Sequence, residues 1–165
     1  MFCLSTQGII DTCDDLLEKA ALHDFYIHDF FKNMRLTGLR PVELQEFDRW
    51  TLLDENLLKV TTAKGSNDRI FQYSELTSTF VTAIRSGERI YDVCRLSTLR
   101  FWLWRWSLYK NLAKGNRQVS LYIFRYARFK ELSELGWTTQ QISTYMGERS
   151  NTNTDGYINA SLCTP

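Results

Sequence analysis

A change in the hydrophobic pattern falls in the stretch Leu36-Thr37-Gly38-Leu39-Arg40-Pro41-Val42-Glu43-Leu44. It follows residues 24–36, where apolar side chains recur at helical spacing and predict an amphipathic helix. Gly38 interrupts this pattern, and Pro41 suits an early position of a new short helix. The stretch therefore predicts a helix, a break at glycine and a second short helix.

The sequence on either side of this stretch predicts a helix and a small sheet. Residues 9–22 place apolar side chains on one side and acids on the other, which is typical of a helix. Residues 47–52, 57–62 and 69–73 resemble short strands separated by polar turns. The second turn, residues 64–68, begins with a lysine followed by glycine, serine and asparagine, which is a hairpin signal. We therefore expect a three-stranded antiparallel meander.

The second half of the chain predicts mainly helices, because glycine just past a helical pattern is a common stop signal. The predicted helices and the glycines that follow them are roughly 75–85 before Gly87, 98–113 before Gly115, 121–134 before Gly136, and 139–146 before Gly147. The tail from Ser150 is rich in asparagine and threonine and contains Tyr157. The expected fold class is α+β, mainly α-helical with a small three-stranded antiparallel sheet.

Length and composition favour one folded domain. The 165 residues are 44% hydrophobic and 14% aromatic with two prolines, which excludes a disordered chain and suits one sizeable core. We therefore expect residues 1–165 to form a single domain. The most apolar stretch, residues 101–109, contains Arg105 and is too short to span a bilayer. The first ten residues lack the basic start and long apolar core of a signal peptide.

Cysteine and histidine usage argues against a metal site. The four cysteines, at positions 3, 13, 94 and 163, are scattered without a C-x-x-C spacing, and only two histidines occur. Structural zinc needs four clustered ligands, so we expect no metal and no cofactor. Free thiols in a reducing cytoplasm are the expected state.

The net charge of +1 is an average over very uneven segments. Residues 1–56 carry a net charge of −6 and residues 85–130 a net charge of +9. In the basic block, arginines and lysines alternate with aromatic residues between positions 95 and 117. Such a stripe is typical of a surface that binds a phosphate backbone, but also of an amphipathic helix with solvated basic residues. The block alone leaves both interpretations open, and predicts one basic surface and one acidic back.

The stretch at 37–40, Thr-Gly-Leu-Arg, followed by Glu43 and Leu44, resembles the first signature box of the tyrosine recombinases, the phage integrase family. In that family this segment ends a helix and presents an arginine to the scissile phosphate, a role that the resemblance gives to Arg40. The family also places a lysine in the tight turn between its second and third strands. Lys64 occupies the corresponding turn, 24 residues after Arg40.

The remaining boxes follow in the same order. Arg125 lies 11 residues before Gly136, as in the family's second box, and Tyr157 lies in a segment that resembles the one bearing the nucleophile. The resemblance covers roughly residues 4–160. It implies the tyrosine recombinase catalytic-domain fold, and its specificity comes from the joint match of Arg40, Lys64, Arg125 and Tyr157.

The resemblance implies a definite chemistry. The hydroxyl of Tyr157 attacks a DNA phosphodiester, forms a covalent 3′-phosphotyrosine and releases a 5′-hydroxyl, which a second DNA end can reverse without ATP. Arg40 and Arg125 suit the charge that grows on the non-bridging oxygens, because a guanidinium is permanently charged and binds phosphate bidentately. Lys64 is the implied general acid toward the leaving 5′-oxygen.

Two positions depart from the family pattern. Tyr122 replaces the usual histidine or lysine of the second box, so it can donate a hydrogen bond but adds no charge. Glu148 replaces the usual histidine or tryptophan, and an anion there repels a phosphate. Two hypotheses for Glu148 stay open: it accepts the proton of Tyr157, or it pairs with Arg149 and faces away.

The expected function is therefore a site-specific DNA recombinase or integrase. A non-catalytic DNA-binding or assembly module of the same fold, and a relaxing topoisomerase of the related tyrosine type, are the alternatives. The implied partners are double-stranded DNA and further copies of the chain in a tetrameric synapse, with no membrane and no small-molecule substrate. We expect the protein in the cytoplasm, on nucleoid or host-cell DNA. We expect no counterpart of the N-terminal clamp domain of many family members within these 165 residues.

Overall fold

Helices dominate the computed structural model, which describes residues 3–65, 67–106, 120–159 and 162–163. Three short 3-10 turns, at Phe47–Arg49, Ala63–Gly65 and Tyr73–Glu75, connect the elements around the sheet. In chain order the helices and strands are β1 (Cys3–Leu4), α1 (Thr6–His23), α2 (Phe25–Thr37), α3 (Pro41–Gln45), β2 (Trp50–Leu52), β3 (Leu57–Val60), β4 (Arg69–Gln72), α4 (Ser78–Ser86), α5 (Leu96–Trp106), α6 (Ile123–Glu134), α7 (Thr139–Met146), α8 (Asn151–Asn159) and β5 (Leu162–Cys163).

The first two helices begin and end at residues whose chemistry suits those positions. The hydroxyl of Ser5 accepts from the backbone N–H of Gly8 at the start of α1, and the carboxylate of Asp24 caps α2. Helix α2 ends at Gly38, which has the left-handed backbone conformation (φ 70°) that glycine adopts without strain. Pro41 then starts α3, so the predicted helix, break and short helix are confirmed.

The sheet is antiparallel with the strand order β2-β3-β4. Trp50 pairs with Val60 across β2 and β3, and Leu58 pairs with Phe71 across β3 and β4. All four of these side chains are buried, so one face of the sheet packs on the core. The predicted meander is confirmed.

The main core lies between α1, α2 and α6, which pack on one another. Phe31 and Phe124 are fully buried with ring centroids 4.8 Å apart, and Leu16 is fully buried beside them in the same cluster. Burial of each such side chain stabilises the fold by about 1.5–3 kcal/mol. A smaller cluster of Phe129, Leu132, Ile142 and Met146 joins α6 to α7, and Tyr157 of α8 packs against it.

The structure corrects several predicted boundaries. The first predicted strand, residues 47–52, begins with a 3-10 turn, and the strand predicted over 57–62 ends at Val60. The helix predicted over 75–85 begins at Ser78, and the helix predicted over 121–134 begins at Ile123. Of the helix predicted over 98–113, α5 accounts for the part up to Trp106, and the remainder lies outside the described residues.

Three elements had no sequence prediction, namely helix α8 and the strands β1 and β5. Helix α8 forms from a tail rich in asparagine and threonine, because its Thr154 is fully buried and its hydroxyl lies 2.6 Å from that of Ser143 on α7. Strands β1 and β5 pair antiparallel, with Cys3 opposite Cys163, and so bring the described ends of the chain together.

Among the helices of the described ranges, none is both long enough and apolar enough to cross a bilayer.

Candidate active site

Arg40 lies at the start of α3, where the break after Gly38 turns its side chain toward α7 and α8. It is 5% exposed. Its Nη1 donates to Oε1 of Glu43 at 3.0 Å, and its Nη2 donates to Oε1 of Glu148 at 3.1 Å. Burial opposes the charged guanidinium, but the two carboxylates outweigh it and raise the pKa of Arg40 above its usual range.

Glu43 joins Arg40 to the turn that carries Lys64. It is fully buried, and its Oε2 accepts from the backbone N–H of Arg40 at 2.8 Å. Its Oε1 also accepts from the backbone N–H of Ala63 at 3.0 Å. One carboxylate therefore holds both the predicted arginine and the residue just before the predicted lysine.

Lys64 is held in a tight turn with a left-handed backbone (φ 59°, ψ 27°) and an exposed side chain. The hydroxyl of Thr62 donates to the carbonyl of Asn67 across the turn at 2.9 Å. The backbone N–H of Asn67 in turn donates to the carbonyl of Gly147 at 2.9 Å. The Lys64 turn is thus tied to the end of α7, directly before Glu148.

Arg125 lies on α6 and is fully buried beneath the site. Its Nη1 donates to the carbonyl of Gly38, and its Nη2 donates to Oε1 of Glu148. Its guanidinium carbon lies 5.3 Å from the ring centroid of Tyr157 and 5.1 Å from that of Phe129. Within the described part of the chain, its Nε has no hydrogen-bond partner.

Tyr157 lies on α8, with its ring stacked on Phe129 at a centroid distance of 4.2 Å and an angle of 4°. The ring of Tyr126 lies 5.0 Å away. These aromatic contacts and the guanidinium of Arg125 hold the phenol ring at the edge of the site.

These side chains converge on one cleft of about 540 Å³. The residues that line it are Arg40, Lys64, Tyr126, Glu148, Thr152, Asn153, Gly156 and Tyr157. Arg125 contacts both Glu148 and the ring of Tyr157 from behind this lining. The four matched residues therefore lie together, as the resemblance implied, while their catalytic roles stay predictions.

Tyr122 does not line this cleft. Its ring lies 6.0 Å from Nζ of Lys64, and it borders a neighbouring, mainly apolar cavity of about 500 Å³ together with Val42, Leu96 and Leu121. Its place beside Lys64 keeps it near the site.

Glu148 faces the arginines. It is 6% exposed, and one oxygen, Oε1, accepts from both Arg40 and Arg125. The hypothesis that it pairs with Arg149 and faces away is therefore wrong. With Arg40, Lys64 and Arg125 positive and Glu43 and Glu148 negative, these five side chains have a formal net charge of +1.

Sequence reasoning missed Arg69, whose side chain is 3% exposed behind the site. Its Nη2 donates to the carbonyl of Thr37 at 2.8 Å, and its guanidinium stacks over Phe71 and Tyr145. Burial, followed by repulsion from Arg125, lowers its pKa to about 10. Its alternation with Phe71 in β4 was the only sequence signal that it points inward.

Comparisons with known proteins identify the fold. No protein-family model and no curated protein matches the sequence. The structure is similar to a solved chain described as the crystal structure of XerA recombinase, with a TM-score of 0.59 and 18% sequence identity over 92% of this chain. This chain spans 57% of that one. The mainly helical fold with a three-stranded antiparallel sheet is therefore a recombinase-like fold, as the sequence predicted.

We expect Gly147→Ala to destabilise the protein and to disturb the Lys64 turn. Gly147 has φ 72°, and a Cβ there lies 2.6 Å from the carbonyl oxygen of Asn67. The left-handed conformation costs about 1–2 kcal/mol for an alanine, and displacement of Asn67 adds about 1 kcal/mol for the lost hydrogen bond. Chemical denaturation measures the change in the free energy of unfolding.

Gly87→Ala is the matched control, because Gly87 also ends a helix with a left-handed backbone (φ 74°) but has nothing within 4 Å of its Cβ position. It isolates the backbone strain. Equal losses of stability in the two variants would show that the contact with Asn67 adds nothing.

Proposed function

We propose that this chain is the catalytic domain of a tyrosine recombinase, a site-specific recombinase or integrase that cleaves and rejoins DNA through a covalent 3′-phosphotyrosine. The observation that carries the proposal is the convergence of Arg40, Lys64 and Tyr157 on one cleft, with Arg125 against the tyrosine ring. The recombinase-like fold supports it. The chemistry uses only side chains of this chain and the DNA.

In this mechanism Oη of Tyr157 attacks the scissile phosphorus and gives its proton to solvent water in the open cleft. The bond from phosphorus to the 5′-oxygen breaks, and Lys64 donates a proton to that oxygen, so a 5′-hydroxyl departs. Arg40 and Arg125 stabilise the negative charge on the non-bridging oxygens. In rejoining, a 5′-hydroxyl attacks the phosphotyrosine and the same steps run in reverse.

The position of each group suits its role. Lys64 is exposed on a turn, so its flexible side chain can reach a leaving oxygen at the cleft. The aromatic contacts of Tyr157 with Phe129 and Tyr126 restrict the nucleophile to the cleft edge. Restricting a nucleophile in this way reduces the entropy lost on reaching the transition state.

A second candidate function is a DNA-binding or assembly module that has lost strand cleavage. The observation that favours it is Glu148, whose carboxylate accepts from both arginines. A relaxing topoisomerase of the tyrosine type uses a similar set of residues and differs from the first proposal in acting as a monomer.

The proposed partners are double-stranded DNA and three further copies of the chain in a synapse. We place the reaction in the cytoplasm, on nucleoid or host-cell DNA. Because a phosphate backbone binds through charge, affinity for DNA should fall steeply as the salt concentration rises. Assembly on DNA, measured by sedimentation, separates a tetrameric recombinase from a monomeric topoisomerase.

The decisive measurement is incubation with nicked suicide DNA substrates, followed by a denaturing gel. We expect a covalent protein–DNA adduct with the wild-type chain and none with Tyr157→Phe, because phenylalanine lacks the attacking oxygen. Tyr73→Phe is the control, since Tyr73 does not line the cleft and its hydroxyl donates to the carbonyl of Asp54. An adduct that persists in Tyr157→Phe would exclude this nucleophile, and no adduct on any DNA would favour the binding module.

A further inference from the structure

Glu148 makes the same contacts with the two arginines that an oxyanion would make. A single oxygen, Oε1, lies 3.1 Å from Nη2 of Arg40 and accepts a second hydrogen bond from Nη2 of Arg125. Arg125 is fully buried, so its charge requires a compensating anion whenever DNA is absent. Glu148 is that anion in the structure.

The placement of Glu148 also allows its side chain to move out of the position between the two arginines. It lines the open cleft, whereas Glu43, the other carboxylate on Arg40, is fully buried and held by two backbone N–H groups. The backbone of Glu148 is fixed, since its N–H donates to the carbonyl of Ser143 at 2.9 Å. Rotation of its side chain alone can therefore vacate the position between the arginines.

We propose that Glu148 is an internal occupant of an oxyanion site formed by Arg40 and Arg125, and that a phosphate must displace it to bind. The inference rests on the proposed function for the identity of that phosphate, a DNA phosphodiester. Glu148 thereby regulates the site: it stabilises the empty cleft and competes with every oxyanion that enters it.

The cost of this competition follows from the fraction of molecules in which the site is open. A binding-competent state populated at one part in ten weakens the apparent affinity tenfold. Replacement of Glu148 by glutamine removes the competing charge and raises the formal charge of the five site residues from +1 to +2. We therefore expect Glu148→Gln to bind oxyanions at least tenfold more tightly than the wild-type chain.

Sulfate is the probe, because it tests the site without DNA and without catalysis. Anion binding to the folded state raises the free energy of unfolding by RT ln(1 + [sulfate]/Kd), so the sulfate concentration at which the Tm begins to rise reports the affinity. In Glu148→Gln the Tm without sulfate should fall below that of the wild-type chain, since Arg125 loses its anion. Sulfate should then restore it at concentrations at least tenfold below those that affect the wild-type chain.

Glu131→Gln is the matched control. Glu131 also bridges two arginines, Arg35 and Arg128, but it lies outside the cleft and is 33% exposed. Its replacement should leave the response to sulfate unchanged. Adding Arg40→Gln to Glu148→Gln should abolish the gain in sulfate affinity, which assigns the effect to this site.

Each result then decides the proposal. Equal sulfate affinity in Glu148→Gln and the wild-type chain overturns it, as does a gain that survives Arg40→Gln. If Glu148→Gln folds only in the presence of sulfate, that recovery supports the proposal.

Glu148→Asp, which keeps the negative charge but places it one methylene further from the arginines, should show an intermediate affinity for sulfate. The wild-type chain alone provides a check without variants, because stabilisation by sulfate at low millimolar concentration would show that the site is already open.

DNA binding separates this proposal from the proposed function. In a Tyr157→Phe background, which removes covalent chemistry, Glu148→Gln should bind duplex DNA about tenfold more tightly. A gain for sulfate without a gain for DNA would keep Glu148 as the occupant and reject a DNA phosphate as the ligand. Absence of both gains would reject the occupant while the adduct assay still decides the function.

Discussion

Arg125→Gln should slow adduct formation severely and remove a large part of the fold's stability. We expect the free energy of unfolding to fall by about 3–5 kcal/mol, as is typical when one partner of a buried ion pair is removed. Loss of a donor to the transition-state oxygens should lower the rate of cleavage by about 10²–10³-fold or more.

Both effects have a visible structural basis. Arg125 is fully buried and donates to the carbonyl of Gly38 and to the carboxylate of Glu148. Glutamine is too short to reach both acceptors, and it leaves Glu148 with Arg40 as its only ion-pair partner in the described residues. The guanidinium also lies against the ring of Tyr157, so its removal frees the proposed nucleophile.

Arg125→Lys separates the effect of the positive charge at this position from the effect of the guanidinium geometry. A lysine keeps the positive charge but donates from a single nitrogen, so it cannot reproduce the fork of a guanidinium. We expect Arg125→Lys to recover part of the stability and little of the activity. Arg128→Lys, one turn further along α6 and partly exposed, is the control and should change stability by less than about 1 kcal/mol. Full cleavage by Arg125→Lys would show that charge alone suffices.

Much of the site could be predicted from the sequence because its residues lie at helix ends and in turns, which local sequence signals mark. Arg40 lies between Gly38, which caps the end of one helix, and Pro41, which starts the next, so local rules alone locate it in a break. Lys64 falls in a turn signalled by glycine and asparagine between two short strands. In each case the chemistry-bearing residue sits where the backbone pattern changes.

The parts of the fold and of the site that the sequence did not predict depend on contacts between residues far apart in the chain, which no local pattern encodes. Helix α8 has a poor helical composition and forms because Thr154 finds a buried partner on α7. Glu148 can be read as a departure from a motif, but its bridge between Arg40 and Arg125 appears only once three elements are packed. Propensity is a weak predictor wherever tertiary contacts decide.

Glu43 illustrates the same limit. The sequence places it three residues after Arg40, where an acid commonly accepts from the first N–H of a helix. Its second role, accepting from the backbone of Ala63 across 20 residues, requires the sheet to be in place. One side chain therefore positions two of the proposed catalytic groups, and only the first contact is local.

Glu43→Gln should accordingly damage both groups at once. The carboxylate accepts three hydrogen bonds, from the backbone N–H of Arg40, from its guanidinium and from the N–H of Ala63. An amide offers only one oxygen and turns an NH₂ group toward at least one of these donors, which leaves it unsatisfied in a buried site. We expect a loss of about 2–4 kcal/mol in the free energy of unfolding, measured by chemical denaturation.

The variant should also lower the rate of adduct formation about 10²-fold at temperatures where it stays folded, because misplacement of reacting groups by about 1 Å costs that much. Glu75→Gln is the matched control, since Glu75 accepts from the backbone N–H of Gln72 in the same arrangement but is partly exposed and makes no contact with the cleft. It should cost about 1 kcal/mol or less and leave cleavage intact. If Glu43→Gln lowered the free energy of unfolding no more than Glu75→Gln, the contacts of Glu43 with Arg40 and Ala63 would not stabilise the protein. Arg40 and Lys64 would then each be positioned by their own element.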